Sequence, residues 1–340
     1  TGVLLQKTVN LPAWATIVPD SSDAKACELR FRRWLQNAKM DVQSLYAPFI
    51  IGALKDWKNK RVMLLWMPPV LIIGWSLFGQ RLSISAGSSI GMASLSAQER
   101  HAAFEHYAEV VRYTATLFPV GTTIVLLGDR GFRDIRLMQL VREVKWHFRL
   151  RLAENEYFSA SQRGLAQLNS IPLTPTQPRF LQNVLRLTQQ GYGPIHLALI
   201  WDGDPANEPW RLASDQHTKQ QTLMELHADG IEFGFLDDKS AGFQLEDTEL
   251  LLAGRLNHLL IVLALCSLCL LSIGTYVVDT GQRKLVDTHW IRGLSYLQLG
   301  WRWLDYCLAR DAPLPLMFHL KSAPDPGPAA PPSFKDFLSQ

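Results

Sequence analysis

A run of about 20 residues without a charge, from Leu259 to Val278, constrains the fold of this chain more than any other segment. As a helix rising about 1.5 Å per residue, it nearly spans a bilayer core of about 30 Å. The same run would also suit a helix buried on all sides in a large domain. Ser267, Ser272 and Thr275 interrupt it, and soluble-looking sequence lies on both sides. These features favour a core helix over a membrane span.

Charge is unevenly distributed along the 340 residues, although the formal net charge is only +3. Basic residues are concentrated in residues 1–61 and again in residues 130–151. Seven of them occur in the second segment: Arg130, Arg133, Arg136, Arg142, Lys145, Arg149 and Arg151. Such patches indicate either a phosphate-binding surface or two ordinary solvated faces.

The four cysteines (Cys27, Cys266, Cys269 and Cys307) do not suggest a disulfide framework at this length, which predicts a reducing, cytoplasmic setting. Cys266 and Cys269 have CxxC spacing inside the apolar run, with no second cysteine pair. We therefore expect core packing there rather than metal or redox chemistry. The chain begins at Thr1, and we expect the N-terminal segment to be truncated or processed.

Residues 1–60 predict a helical N-terminal segment. From residue 61 the stretches "RVMLLWM", "VLIIGWSLFG" and "RLSISA" predict three strands, with breaks at Pro68-Pro69 and Gly79-Gln80. A helix over residues 97–118, the buried strand "TTIVLLGD", a helix over residues 132–145 and the alternating strand "WHFRLRLA" follow. Residues 61–153 thus have the element order of a ribonuclease-H-like mixed sheet flanked by helices.

The rest of the chain divides into three parts. Residues 154–216 predict a β-rich insertion with strands at 180–187, 194–201 and 209–214. Residues 217–310 predict a helical C-terminal part of the core, with helices at 217–237, 246–278 and 290–308. Residues 311–340 form a proline-rich tail that we expect to be disordered.

Three residues stand out as candidates for chemistry. Asp129 ends a buried strand, where α/β sheets keep their sites, although an Asp there also commonly caps the next helix. Glu232 and Lys239 are seven residues apart, which puts them on one helix face about 10 Å from each other. They indicate either a metal carboxylate beside a phosphate-binding lysine, or an ordinary solvated face.

In this order and spacing, "VLLGDRGF", "PWRLASD", "IEFGFLDDKSAGFQLEDTEL" and "HWIRGLSYLQLGWRWL" resemble DDE-type transposases of bacterial insertion sequences. The similarity is greatest to the "insertion sequence four" group and covers about residues 25–310, including "RFRRWLQN". It implies a ribonuclease-H-like catalytic domain with a β-rich insertion before the last catalytic helix. It also implies Mg²⁺ (or Mn²⁺) and double-stranded DNA, both terminal inverted repeats and target DNA. A homodimer and a cytoplasmic, nucleoid-associated location without membrane insertion would fit it.

The resemblance also implies roles for individual residues. Asp129 matches the second catalytic Asp and Glu232 the final Glu, both as catalytic metal ligands. Lys239 matches the DNA-contacting Lys of the Tyr–Arg–Glu–Lys signature. That signature's Tyr falls on Glu225 and its Arg on Ala228.

The first catalytic Asp of the family falls on Met67, in "WMPPVL". No Asp or Glu occurs from residue 57 through residue 98, so a shift of register does not supply one. The main hypothesis is therefore a transposase with impaired catalysis. The alternative is a non-catalytic DNA-binding remnant, and a single-span membrane protein is the third. We expect DNA contacts from the basic segments, namely Arg30, Arg32, Arg33, Arg130, Arg149 and Arg151.

Overall fold

The computed structural model describes most of the chain. The described residues are 2–18, 23–72, 75–84, 88–92, 97–99, 104–128, 130–160, 164–187, 191–201, 203–205, 207–219, 243, 253–289, 294–316 and 318–321. They form a mixed α/β structure in which one sheet is flanked by helices, as the sequence predicted at this coarse level.

The N-terminal segment is helical, as expected. Its helices are α1 (Gly2–Gln6), α2 (Leu11–Ala15), α3 (Ala24–Leu35) and α4 (Val42–Ala53). Acidic side chains cap the N-termini of the two longer helices. Asp23 accepts a hydrogen bond from the Ala26 N–H, and Asp41 accepts one from the Gln43 N–H. Such caps satisfy N–H groups that have no partner within the helix.

The sheet has eleven strands within the described residues. They are β1 (Arg61–Ile72), β2 (Trp75–Ile84), β3 (Ser88–Met92), β4 (Ala97–Glu99), β5 (Thr123–Gly128), β6 (His147–Arg151), β7 (Tyr157–Ala160), β8 (Gly164–Gln167), β9 (Arg179–Leu187), β10 (Tyr192–Ile200) and β11 (Trp210–Ser214). Their order is β3-β2-β1-β5-β6-β11-β10-β9-β7-β8, and β4 also pairs with β2. Strands β1, β5 and β6 run parallel, and the other pairs are antiparallel.

The first hairpin corrects the predicted breaks. Strand β1 continues through Pro68-Pro69, and β2 continues through Gly79-Gln80. Met67 pairs with Gly79 and Val70 with Leu77, so β1 contains one extra residue between these pairs. Proline lacks the N–H needed for a ladder hydrogen bond and is accommodated in strands at bulges. The prolines therefore mark an irregularity within β1, and the pairing continues beyond them to Ile72, which is opposite Trp75.

The helix predicted over residues 97–118 is also corrected. Residues 97–99 form β4, which pairs with the start of β2, and the helix α5 spans Phe104–Ala115. Strand pairing with a distant segment outweighs local helical preference here.

The strands predicted between residues 154 and 216 agree with β9, β10 and β11 to within two residues. The β7–β8 hairpin is additional. Because β11 pairs with β6, Ala213 opposite Leu150, these strands continue the central sheet.

The remaining described α-helices are α6 (Ile135–Glu143), α7 (Ala253–Asp279) and α8 (Tyr296–Arg310). Helix α7 contains the apolar run and is, within the described ranges, the one helix long and apolar enough to cross a membrane. However, 72% of its most apolar window is buried inside the protein. This is the environment of a core helix, as the polar interruptions predicted.

The backbones of helices α7 and α8 are in close contact at two glycines. A Cβ added at Gly274 would lie 1.9 Å from the Tyr296 carbonyl oxygen, and one at Gly300 would lie 2.0 Å from the Leu270 carbonyl oxygen. The two backbones can approach this closely only where both residues lack a side chain.

The four cysteines are free and buried. Burial raises the pKa of the Cys266 thiol to about 12 and also raises the pKa of Cys269. Thiolate chemistry is disfavoured under such conditions, which fits the expected packing role. The predicted helix beyond residue 219 and residues 322–340 of the predicted disordered tail lie outside the described residues. The start of that tail is corrected, because Leu320 is buried in the core and its carbonyl oxygen accepts a 2.8 Å hydrogen bond from Trp57 Nε1.

Candidate functional site

The parallel strands bring three chain segments to one edge of the sheet. Trp66 of β1 pairs with Gly128 of β5, and Gly128 pairs with Leu150 of β6. Met67 is the next residue of β1. The carboxyl ends of parallel strands are where open α/β sheets bind ligands.

The structure describes only one of the positions predicted to form the catalytic centre. Asp129 directly follows Gly128 in the chain but lies outside the described residues, as do Glu232 and Lys239. Met67 is described as a residue of β1. The roles of Asp129, Glu232 and Lys239 therefore stay predictions.

Position 67 does not supply a suitable ligand for a two-metal magnesium site. A thioether is soft and neutral, whereas Mg²⁺ prefers oxygen ligands, so Met67 is an unsuitable ligand. Within the described ranges, no group of three or more His, Cys, Asp or Glu is arranged to hold a metal ion.

The described residues at this edge form a pocket of about 270 Å³. Three arginines reach it from separate elements: Arg130 from the short turn after β5, Arg151 from the end of β6 and Arg211 from β11. Glu154 and Glu208 also line it. The pocket is therefore basic.

Glu208 is shared by two of the arginines. Its Oε2 lies 2.7 Å from Arg130 Nη1 and 4.0 Å from Arg151 Nη2. The Arg151 guanidinium also lies over the Trp210 ring, 5.0 Å from its centroid. The Glu208 side chain is 62% exposed, so its ion pairs are partly screened by water.

Arg211 has a different environment, because it is only 8% exposed. Its Nη2 lies 3.9 Å from Glu154 Oε2, and its Nη1 donates a long 3.4 Å hydrogen bond to the Pro209 carbonyl oxygen. The buried Nε has no hydrogen-bond partner within the described structure. Burial lowers the pKa of Arg211, while Glu154 opposes that shift. A buried cation with such long contacts gains from a closer anion.

The other predicted DNA contacts are elsewhere. Arg149 is only 4% exposed, and its Cα is paired with both Leu127 and Ser214. Because so little of Arg149 is exposed, it is not available for a DNA contact in this structure. Arg30 and Arg33 are exposed on α3, and none of the three predicted α3 arginines lines the pocket.

Arg32 forms an ion pair within its own helix. Its Nε lies 2.6 Å from Glu28 Oε1, one turn earlier in α3. The pocket and the α3 arginines are therefore two separate basic features.

A second polar cluster lies where β6 begins and β11 ends. Asp215 Oδ2 lies 2.8 Å from His147 Nδ1, and Asp215 Oδ1 accepts a 2.9 Å hydrogen bond from the Phe148 N–H. His196 stacks on His217 with ring centroids 4.3 Å apart. Burial, then His217, lowers the pKa of His196. This cluster anchors the segment that follows β11.

Sequence reasoning missed the roles of Glu208, Arg211 and Asp215. Arg211 and Asp215 belong to the "PWRLASD" stretch, and Glu208 lies just before it. A compact group of charges flanking a short strand was the available signal. Its partners come from the short turn after β5, from β6 and from the residues just after β6, more than 50 residues earlier in the chain.

A scan against protein-family models and a search of the curated proteins found no match to this chain. The function is therefore argued from the motifs, the strand register and the pocket.

Proposed function

We propose that this chain is a DNA-binding protein of the DDE transposase type whose catalytic centre is impaired at Met67. The observation that supports this most directly is the Trp66–Gly128 register. It makes Met67 the next β1 residue at the edge where Asp129 continues the chain from β5. The resemblance requires two neighbouring carboxylates at this edge, and position 67 offers a methionine.

The strand order agrees with the proposed ribonuclease-H-like fold. Strands β3, β2 and β1 are antiparallel neighbours, and β5 and β6 then continue in parallel from β1. The proposal takes the strands after β6 as the family's insertion, with Glu232 on the helix that follows it.

Loss of the first carboxylate has a large expected effect on catalysis. Metal stabilisation of the transition state is worth several kcal/mol, and each ~1.4 kcal/mol is about tenfold in rate. We therefore expect cleavage to be slower by about three orders of magnitude or more than with an intact carboxylate set. DNA binding depends on other groups and is expected to persist.

The exposed arginines of α3 and the basic pocket support DNA as the partner. The location expected with that partner is cytoplasmic and nucleoid-associated. A chain that binds through phosphate contacts releases counterions, so its affinity falls steeply as salt rises.

Binding and cleavage need separate measurements. Fluorescence anisotropy would measure the affinity for terminal-repeat duplexes whose sequences are taken from the genomic flanks. A protein that makes six or more phosphate contacts loses about 10³-fold or more in affinity between 50 and 200 mM salt. We expect that steep dependence, and no nicking with Mg²⁺ or Mn²⁺. Absence of DNA binding would contradict the proposal. Robust nicking abolished by Asp129→Ala would contradict the impaired centre.

A non-catalytic DNA-binding remnant is the second candidate. It is favoured by the unsuitable donor at position 67 and by the arginine-rich pocket at the same edge of the sheet. The two candidates differ in whether an added carboxylate restores cleavage.

A further inference from the structure

The pocket at the carboxyl edge has the features of an anion site that is partly filled by the protein itself. Of the residues that the structure describes, Arg130, Arg151 and Arg211 face it together with two carboxylates, Glu154 and Glu208. Among these described side chains, three positive charges face two negative charges, which leaves a surplus of one positive charge.

Arg211 is a lining cation whose contacts with its described partners are long. Its side chain is 9% exposed, and Glu154, its acidic neighbour in the pocket, is 3.9 Å away. Its buried Nε has no hydrogen-bond partner in the described part of the chain. A guanidinium binds phosphate through several N–H groups at once, which suits a group with unsatisfied donors.

Glu208 can leave the pocket without disturbing the core. Its side chain is 62% exposed and follows the end of β10, in the connection to β11. Arg151 is independently held by the Trp210 ring, so the cation stays in position when the carboxylate moves. Without Glu208, the positive surplus of the described lining side chains rises to two charges.

We propose that this pocket binds a phosphate group, and that Glu208 occupies Arg130 and Arg151 until the phosphate displaces it. The volume of about 270 Å³ is several times the ~30 Å³ share of one water and has room for a phosphate group. The Glu208 carboxylate and the phosphate compete for the same N–H donors, so Glu208 acts as a weak intramolecular competitor of phosphate. That the phosphate is part of DNA rests on the proposed function; the affinity for phosphate itself does not.

Isothermal titration of the full chain with inorganic phosphate, in a chloride-poor buffer, tests the pocket directly. We expect Glu208→Gln to bind phosphate roughly two- to fivefold more tightly, because an exposed ion pair of modest strength is removed. We expect Arg211→Met to weaken binding about tenfold or more, the effect of a lost charged hydrogen bond.

Matched controls separate the pocket from general charge. Arg133 is as exposed as Arg130, at 44% and 43%, and also pairs with a glutamate, Glu156, but it does not line the pocket. Arg130→Gln should weaken phosphate binding and Arg133→Gln should not. Asp305→Asn, in the exposed pair with Lys7, is the control for Glu208→Gln. If Arg211→Met fails to fold by circular dichroism, Arg130→Gln and Arg151→Gln complete the test.

The same variants titrated with a short DNA duplex identify the source of the phosphate. Parallel changes in phosphate and DNA affinity support a nucleic-acid phosphate. Phosphate binding without DNA binding by any variant would keep the pocket and overturn the proposed function. DNA binding that is unaffected by pocket variants, with no binding of inorganic phosphate, would overturn the pocket and leave the proposed function standing. Equal effects of Arg130→Gln and Arg133→Gln on phosphate affinity would also overturn the proposed pocket.

Discussion

Trp66 and Gly128 are parallel partners at the carboxyl ends of β1 and β5, and Met67 is the residue that follows Trp66. If position 67 is the missing carboxylate position, Met67→Asp supplies an oxygen ligand suited to Mg²⁺. We expect this variant to nick terminal-repeat DNA at least about tenfold faster than the natural chain.

Met67→Asn is the control for that experiment, since it has nearly the same size as the Asp variant but no charge. Nicking by the Asp variant alone, lost again on Asp129→Ala, would favour an impaired transposase. No gain from Met67→Asp, with DNA binding retained, would favour the non-catalytic remnant.

Asp215 joins β6 to the end of β11 through His147 and the Phe148 N–H. Its side chain is 8% exposed, so Asp215→Ala leaves a buried N–H without its acceptor. We expect the free energy of unfolding to fall by about 1–3 kcal/mol, measured by urea denaturation. Asp305→Asn breaks an exposed pair instead and should change it by less than about 0.5 kcal/mol. Equal losses would contradict this assignment.

Protonation of His196 should couple stability to pH. Burial, then His217, lowers its pKa in the folded state, with Arg142 also lowering it and Asp215 opposing. Below the unfolded pKa of 6.5 the unfolded chain binds more protons than the folded one at this position. Stability from this group is therefore complete above pH 6.5 and is lost as pH falls toward the lower, folded pKa.

Urea denaturation at pH 7.5 and pH 5.5 measures this dependence. The loss of stability between these values should be smaller in His196→Gln than in the natural chain. The same loss in both proteins would assign the dependence to other groups.

Gly300 allows α8 to approach the Leu270 carbonyl of α7, where an added Cβ would lie 2.0 Å from the oxygen. Because backbone must move to accept a methyl group, Gly300→Ala should lower the free energy of unfolding by about 1–3 kcal/mol. Gly254, in the first turn of α7, has nothing within 4 Å of an added Cβ. Gly254→Ala should be neutral or stabilising by up to about 1 kcal/mol, and a comparable loss there would contradict the packing argument.

The buried strands were the most predictable part of the fold. β5 and β6 were recognisable because an apolar run and a clean alternation depend on local sequence alone. The first hairpin was not, because Pro68-Pro69 suits a turn as well as a bulge, and the choice depends on pairing with β2. β4 was likewise predicted as helix because its partner, the start of β2, is more than 20 residues away.

The sequence predicted where the candidate site lies in the sheet but not all of the residues that form it. The end of the "TTIVLLGD" strand pointed to this edge of the sheet, and Arg130 and Arg151 do line a pocket there. Alternation placed Arg149 with Arg151, but it cannot report that Arg149 is buried whereas Arg151 reaches the pocket. Glu208 and Arg211 were missed because their charged partners, Arg130, Arg151 and Glu154, lie more than 50 residues earlier in the chain.

The pairing of β11 with β6 also has a consequence for how the chain forms during synthesis. About 60 residues separate Arg151 from Trp210, so at roughly 5–20 residues per second the outer edge of β6 stays unpaired for several seconds. An open strand edge is a template for unwanted association. The nascent chain therefore passes through a stage at which aggregation competes with folding, and it leaves that stage when the ribosome has released the β11 segment.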